Sequence, residues 1–139
     1  MPRRLISLTA LFAAAFFSAC DANRMTPQTW DALVNSFLDS TFGARPDIAV
    51  NAGRHEFDGR LPDWSEAGLD RERGRLEEWR ARVEQADTSA LDAPRRFERN
   101  YMIAVIDGQL FWLDRADWPH KNPVFYADAL DPDVYVSRP

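Results

Sequence analysis

The chain has 139 residues, of which 17 are basic and 22 acidic, for a net charge of −5. So acidic a composition argues against nucleic acid as a partner, because phosphate backbones are met by basic faces. Cys20 is the single cysteine, so no disulfide forms within the chain and the fold must rest on packing, for which five Trp, nine Phe and three Tyr supply large apolar surfaces.

The first elements are a targeting signal. Arg3 and Arg4 are followed by a mostly apolar, uncharged run over residues 5–17, then Ser18, Ala19 and Cys20. At about 13 residues the run falls short of the roughly 20 that cross a bilayer, and it has the length of a signal-peptide core. A cysteine directly after small residues resembles a lipobox, with Phe17 standing where Leu is usual. Residues 1–19 therefore read as a lipoprotein signal peptide, Cys20 as the lipidation site, and residues 20–26 as a tether. Cleavage there removes Arg3 and Arg4 and takes the net charge from −5 to −7. Lipid on Cys20 predicts a membrane partner, and with it a place on the periplasmic side of a bacterial cell envelope.

Residues 27–139 read as one helical domain, since about 120 residues make a single modest unit. Thr26 and Pro27 have the order of an N-cap and first helical position, and Trp30, Leu33, Val34, Phe37 and Leu38 follow at helical spacing. Gly43 is the expected stop. A short helix over 47–52 is expected next, closed by Gly53. Residues 54–64 read as a loop, with turns at Asp58-Gly59 and Pro62. Ser65 then caps a helix running to about Ala86, with a thin apolar stripe of Leu69, Leu76, Trp79 and Val83 and with Glu78–Arg82 and Glu72–Arg75 at ion-pair spacing.

Asp92 caps a further helix with Pro94 in its first turn. Over 101–113 only Asp107 and Gln109 are clearly polar, which predicts a segment central to the core. Asp107-Gly108 also fits a β-hairpin. The helix is preferred because the pattern continues unbroken from Arg95 and no third strand completes a sheet. Trp118-Pro119 is the expected end, and Asn122-Pro123 begins a short helix through Leu130. Asp131-Pro132-Asp133 repeats the start signal with only six residues after it, so the domain reads as cut short, or else as ending in a frayed tail. The fold class is all-α, an irregular array of about five helices.

No catalytic set or metal site is legible. His55-Glu56 begins a His-Glu-x-x-His pattern, but position 59 is Gly, and His120 is the only other histidine. Glu56, Asp58 and Asp63 lie near Arg54 and Arg60, a group that suits helix capping and surface ion pairs better than acid–base work. There is no glycine-rich phosphate loop and no Gly-x-Ser-x-Gly elbow. Phe111, Trp112, Trp118, Phe125 and Tyr126 are candidates for a ligand groove, with core packing the ordinary use of such a cluster.

Taken in order, Asp47-Ile-Ala-Val-Asn-Ala-Gly53, Phe57-Asp-Gly-Arg-Leu-Pro-Asp63, Phe111-Trp112-Leu113, Trp118 and Asn122-Pro-Val-Phe-Tyr126 resemble the N-terminal part of the bacterial domain-of-unknown-function 885 family. The resemblance spans residues 28–139. It implies a longer, mostly helical protein, similar to zinc carboxypeptidases, whose zinc-binding His-Glu-x-x-His helix lies far toward the C-terminus. No catalytic residue of that family falls on a position of this chain, and zinc is implied only for the part beyond it. The expectation is a non-catalytic N-terminal segment of a lipid-anchored, metallopeptidase-like hydrolase, with a peptide substrate in the full-length protein. The alternative is a small stand-alone helical lipoprotein acting as an envelope binding module. An enzyme built on His55, Asp58 or Asp63 has no motif behind it.

Overall fold

A computed structural model of the chain describes residues 25–127 and residue 130. The signal peptide, Cys20, most of the tether and the start signal at 131–133 lie outside the described residues. Those described form an all-α fold of six helices with no strand. They are α1 (Pro27–Ala44), α2 (Pro46–Asn51), α3 (Glu66–Gln85), α4 (Ala93–Leu110), α5 (Trp118–Lys121) and α6 (Val124–Ala127). A 3₁₀ turn, His55–Phe57, interrupts the expected loop after α2, and a π-helical turn, Phe111–Arg115, extends α4.

The three long helices start where their caps stand. Thr26 and Thr29 exchange backbone-to-hydroxyl hydrogen bonds of 2.8 and 3.2 Å, Ser65 Oγ accepts from the Gly68 amide at 3.1 Å, and Asp92 Oδ1 accepts from the Arg95 amide at 3.0 Å. Each satisfies an amide that the helix leaves without a partner, worth about 1 kcal/mol.

The core is the seam where α1, α3 and α4 meet. Trp30 and Phe37 come from α1, Leu76, Trp79 and Val83 from α3, Met102 and Ile106 from α4, and Leu91 from the link between the last two. The 3.6-residue repeat puts these positions on one stripe of each helix. Phe37 meets Trp79 edge to face, with ring centroids 5.5 Å apart. Both core indoles find acceptors at the seam's edge: Trp30 Nε1 donates to Glu98 at 3.0 Å and Trp79 Nε1 to Ser40 at 3.0 Å. Ion pairs cross-link the surface of the bundle. Arg95 reaches Asp31 of α1 with two bonds of 2.9 Å, and Arg80 joins Asp107 of α4 at 2.6 Å. Arg99 donates to the Val83 and Glu84 carbonyls, which the end of α3 leaves open.

Four expectations are corrected. Gly43 does not stop the first helix, which runs one residue further; Pro46 pushes Arg45 out of helical conformation, and Arg45 makes the break. Residues 101–113 are helical, as expected, but not central as a whole. Met102 and Ile106 are buried, whereas Tyr101, Phe111 and Trp112 are 63%, 51% and 47% exposed, because only one face of α4 meets its neighbours. Trp118-Pro119 is not an end but a start. The chain turns at Asp117, in the left-handed region at φ 51°, and Pro119 sits in the first turn of α5, where a missing N–H costs nothing. The helix expected from Asn122 begins at Val124, whose amide donates to Asn122 Oδ1 at 3.0 Å, and among the described residues it ends at Ala127.

Candidate functional site

An open cleft of about 440 Å³ lies beside the core seam. One wall is the end of α1 and its junction with α2, including Arg45 and Pro46. The loop over 60–64 and the first half of α3 form the floor, with Arg60, Asp63, Arg71, Glu72 and Arg75. Aromatic side chains complete the lining: Trp112 from the π turn, Trp118 from α5 and Phe125 from α6. The volume falls in the range of small-molecule sites.

The π turn sets the aromatic wall. The Ala116 amide donates to the Phe111 carbonyl five residues back at 2.9 Å, which widens the helix by one residue. Arg73 of α3 ties this turn down through Asp114. Trp112 and Trp118 then lie with centroids 4.5 Å apart and planes 32° from parallel. Trp64 meets Tyr126 edge to face at 5.6 Å, and the Tyr126 hydroxyl donates to the Pro119 carbonyl at 2.8 Å, fixing α6 on α5. Of the five aromatic residues expected to form a groove or pack the core, all stand outside the main core cluster, and Trp112, Trp118 and Phe125 line the cleft while Phe111 and Tyr126 pack beside them.

Four arginines and two carboxylates line the cleft, so its formal charge is positive on a protein whose net charge is negative. Three of the arginines are already paired. Arg45 grips Asp47 with bonds of 3.0 and 2.6 Å. Burial opposes the charge on Arg45, but Asp47 and the nearby Glu72 outweigh it and raise its pKa above the ordinary value. Arg75 holds Glu72 through two bonds of 2.7 Å and reaches the Thr41 hydroxyl at 3.3 Å. Arg71 pairs with Asp63. The amide and hydroxyl of Ser65, and then Arg71, hold the Asp63 carboxyl below the usual range. Arg60 differs: no carboxylate among the described residues pairs with it, and its guanidinium lies 4.9 Å over the Phe57 ring.

The other residues singled out from sequence do not converge. Glu56 pairs with Arg54 at 2.5 Å, and His55 lies 3.4 Å from Asp58. Among the described residues no group of three His, Cys, Asp or Glu side chains is placed to hold a metal ion, and no helix is long and apolar enough to cross a membrane. His120 stands elsewhere, with Nε2 2.9 Å from Glu66 and Nδ1 2.6 Å from Asp117. Only the imidazolium donates from both nitrogens.

Glu66 first, and then Asp117, raise the His120 pKa. Its contribution to stability is whole below the ordinary histidine value of about 6.5 and is lost as pH rises through the raised value. Asp117, lowered chiefly by His120, keeps its contribution until pH falls through its own lowered pKa. Thermal melts should thus show wild type losing stability relative to His120→Gln as pH rises above the ordinary histidine value of about 6.5. Parallel curves for the two proteins would remove His120 from the linkage.

Arg45, Arg71 and Arg75 were not legible as cleft residues. The one signal for the last two is their spacing of four along α3, which places them on one flank of the apolar stripe. Comparison of the chain with known protein families, curated proteins and solved structures found no match.

Proposed function

We propose that this chain is the non-catalytic N-terminal segment of a lipid-anchored, zinc metallopeptidase-like hydrolase, held at the bacterial cell envelope through Cys20, and that its cleft forms one wall of the substrate site. One observation carries the reading. Segments bearing the family resemblance, some fifty residues apart in sequence, line a single cleft: Arg60-Leu61-Pro62-Asp63 together with Trp112-Leu113, Trp118 and Phe125. Motifs that only shaped a core would have no reason to converge on open space. The half-exposed Phe111, outside the cleft lining, is also the kind of apolar surface that a further part of a protein covers. Since the described residues offer no zinc-binding group, no chemical step through a metal is assigned to them.

An immunoblot of the source cells with an antibody against residues 65–90 tests this. The expected band is several-fold larger than 15.9 kDa, and it leaves the detergent phase when Cys20 is changed to serine. A lipid-shifted band near 15.9 kDa would overturn the reading in favour of a stand-alone envelope binding module. The closed core joining α1, α3 and α4 is what such a module would rely on.

A further inference from the structure

We infer that the cleft binds a small organic monoanion, a carboxylate carried on a flat apolar ring, with Arg60 taking the carboxylate and the Trp112–Trp118 pair taking the ring. The charges decide the head group. Arg45, Arg71 and Arg75 are each held by a carboxylate of the chain, so among the described residues that line the cleft Arg60 is the arginine left to pair with a guest. One guanidinium matches one carboxylate through two parallel hydrogen bonds. A phosphate dianion is matched best by a second free cation, which the described residues of the cleft do not offer.

The ring contacts decide the body. Trp112 is 47% exposed although it stacks on Trp118, so a ligand ring meets indole surface that water now covers. Withdrawing that surface from water adds affinity, and offset ring contacts add about 0.5–1.5 kcal/mol more than area alone. The positive lining also draws anions to this site on a chain whose overall charge repels them. The inference concerns the cleft used by the proposed function but stands on the cleft's own lining. Product size decides one and ligand binding the other, so the two fail separately.

Isothermal titration of the full chain in lipid nanodiscs, with empty nanodiscs as reference, tests it using 2-naphthoate, 2-naphthamide and 2-naphthyl phosphate. Saturable binding of the acid is expected, at least about tenfold tighter than the amide, which lacks the charge-assisted bond. Arg60→Gln should bring acid and amide together, while Arg82→Gln, remote from the cleft, should leave the acid's affinity unchanged. Trp112→Leu should weaken acid and amide alike. Neither Arg60 nor Trp112 is buried, so folding of these variants is checked by their unchanged helical circular dichroism. The inference is overturned if the acid does not bind, if acid and amide bind equally to wild type, if the phosphate binds tighter than the acid, or if folded Arg60→Gln keeps the difference.

Discussion

Replacing Trp30 with alanine should cost about 3–5 kcal/mol, the range for removing a buried aromatic and leaving a void. Trp30 is fully buried, is among the largest such side chains of the core, and joins α1 to α4 both by packing and by its bond to Glu98. A domain of this size is stable by about 5–15 kcal/mol, so the loss takes away from about a fifth to the whole of the total. Urea unfolding followed by circular dichroism should show a much lower midpoint, or no cooperative transition at all. Trp30→Phe separates the two contributions. It keeps a six-membered ring in the seam and gives up the bond to Glu98, whose exposed carboxylate turns to water, together with the smaller part of the indole volume, so its cost should be well below that of alanine. A Trp30→Ala cost below about 1 kcal/mol would mean that the α1–α4 seam does not hold the bundle.

The second large effect inverts a rule. Glycine within a helix is ordinarily worse than alanine by about 1 kcal/mol, so Gly→Ala should stabilise. At Gly68 a Cβ would stand 2.7 Å from Asp63 Cγ and 2.8 Å from the Asp63 carbonyl carbon, and closer still to that carbonyl's oxygen. The obstacle is backbone, which cannot swing aside as a side chain can. Gly68→Ala should therefore destabilise by about 1–3 kcal/mol, as overpacking does. It should also displace Asp63 and loosen the cleft floor. Gly74, six residues on in the same helix, has nothing within 4 Å of its would-be Cβ, so Gly74→Ala should gain about the ordinary 1 kcal/mol. The opposite signs of these two substitutions, measured in one denaturation series, check the placement of the 60–64 loop against α3. Matching signs would refute it.

How much of this was legible beforehand follows the range of the forces. The caps at Thr26, Ser65 and Asp92 are contacts across three residues, and each was readable from its neighbours. The stripe of Leu69, Leu76, Trp79 and Val83 was readable because helical periodicity alone puts these residues on one face, and all four are buried. The pairs Glu72–Arg75 and Glu78–Arg82, at 2.7 Å, follow from the same geometry. What failed was longer in range. The exposure of Tyr101, Phe111 and Trp112 depends on which neighbours α4 has, which no local pattern states. The left-handed Asp117 looked ordinary, since nothing in its side chain announces that conformation ahead of a proline. Within the cleft, its aromatic residues were suspected from their density alone. The arginine floor was not, because an arginine on a charged helix reads as a solvated one until the α1–α2 junction is seen beside it.

The π turn at Phe111–Arg115 has a consequence for how the chain tolerates length changes. A wide turn of this kind amounts to one residue spliced into an α-helix, and each residue advances a helix by about 1.5 Å and 100°. Removing any one position from 111 to 115 lets the ladder close into ordinary α-helix at little local cost, yet everything downstream swings by about 100° around the α4 axis. Trp118 would leave the side of Trp112, and His120 would leave Glu66. The buried residues of the core seam lie upstream, and of the turn only Leu113 packs against them, so most of the seam would stay in place. A single-codon deletion at this point would therefore yield a folded bundle with a dismantled cleft, a phase error more than a packing error, plain to a ligand and modest in a melting curve.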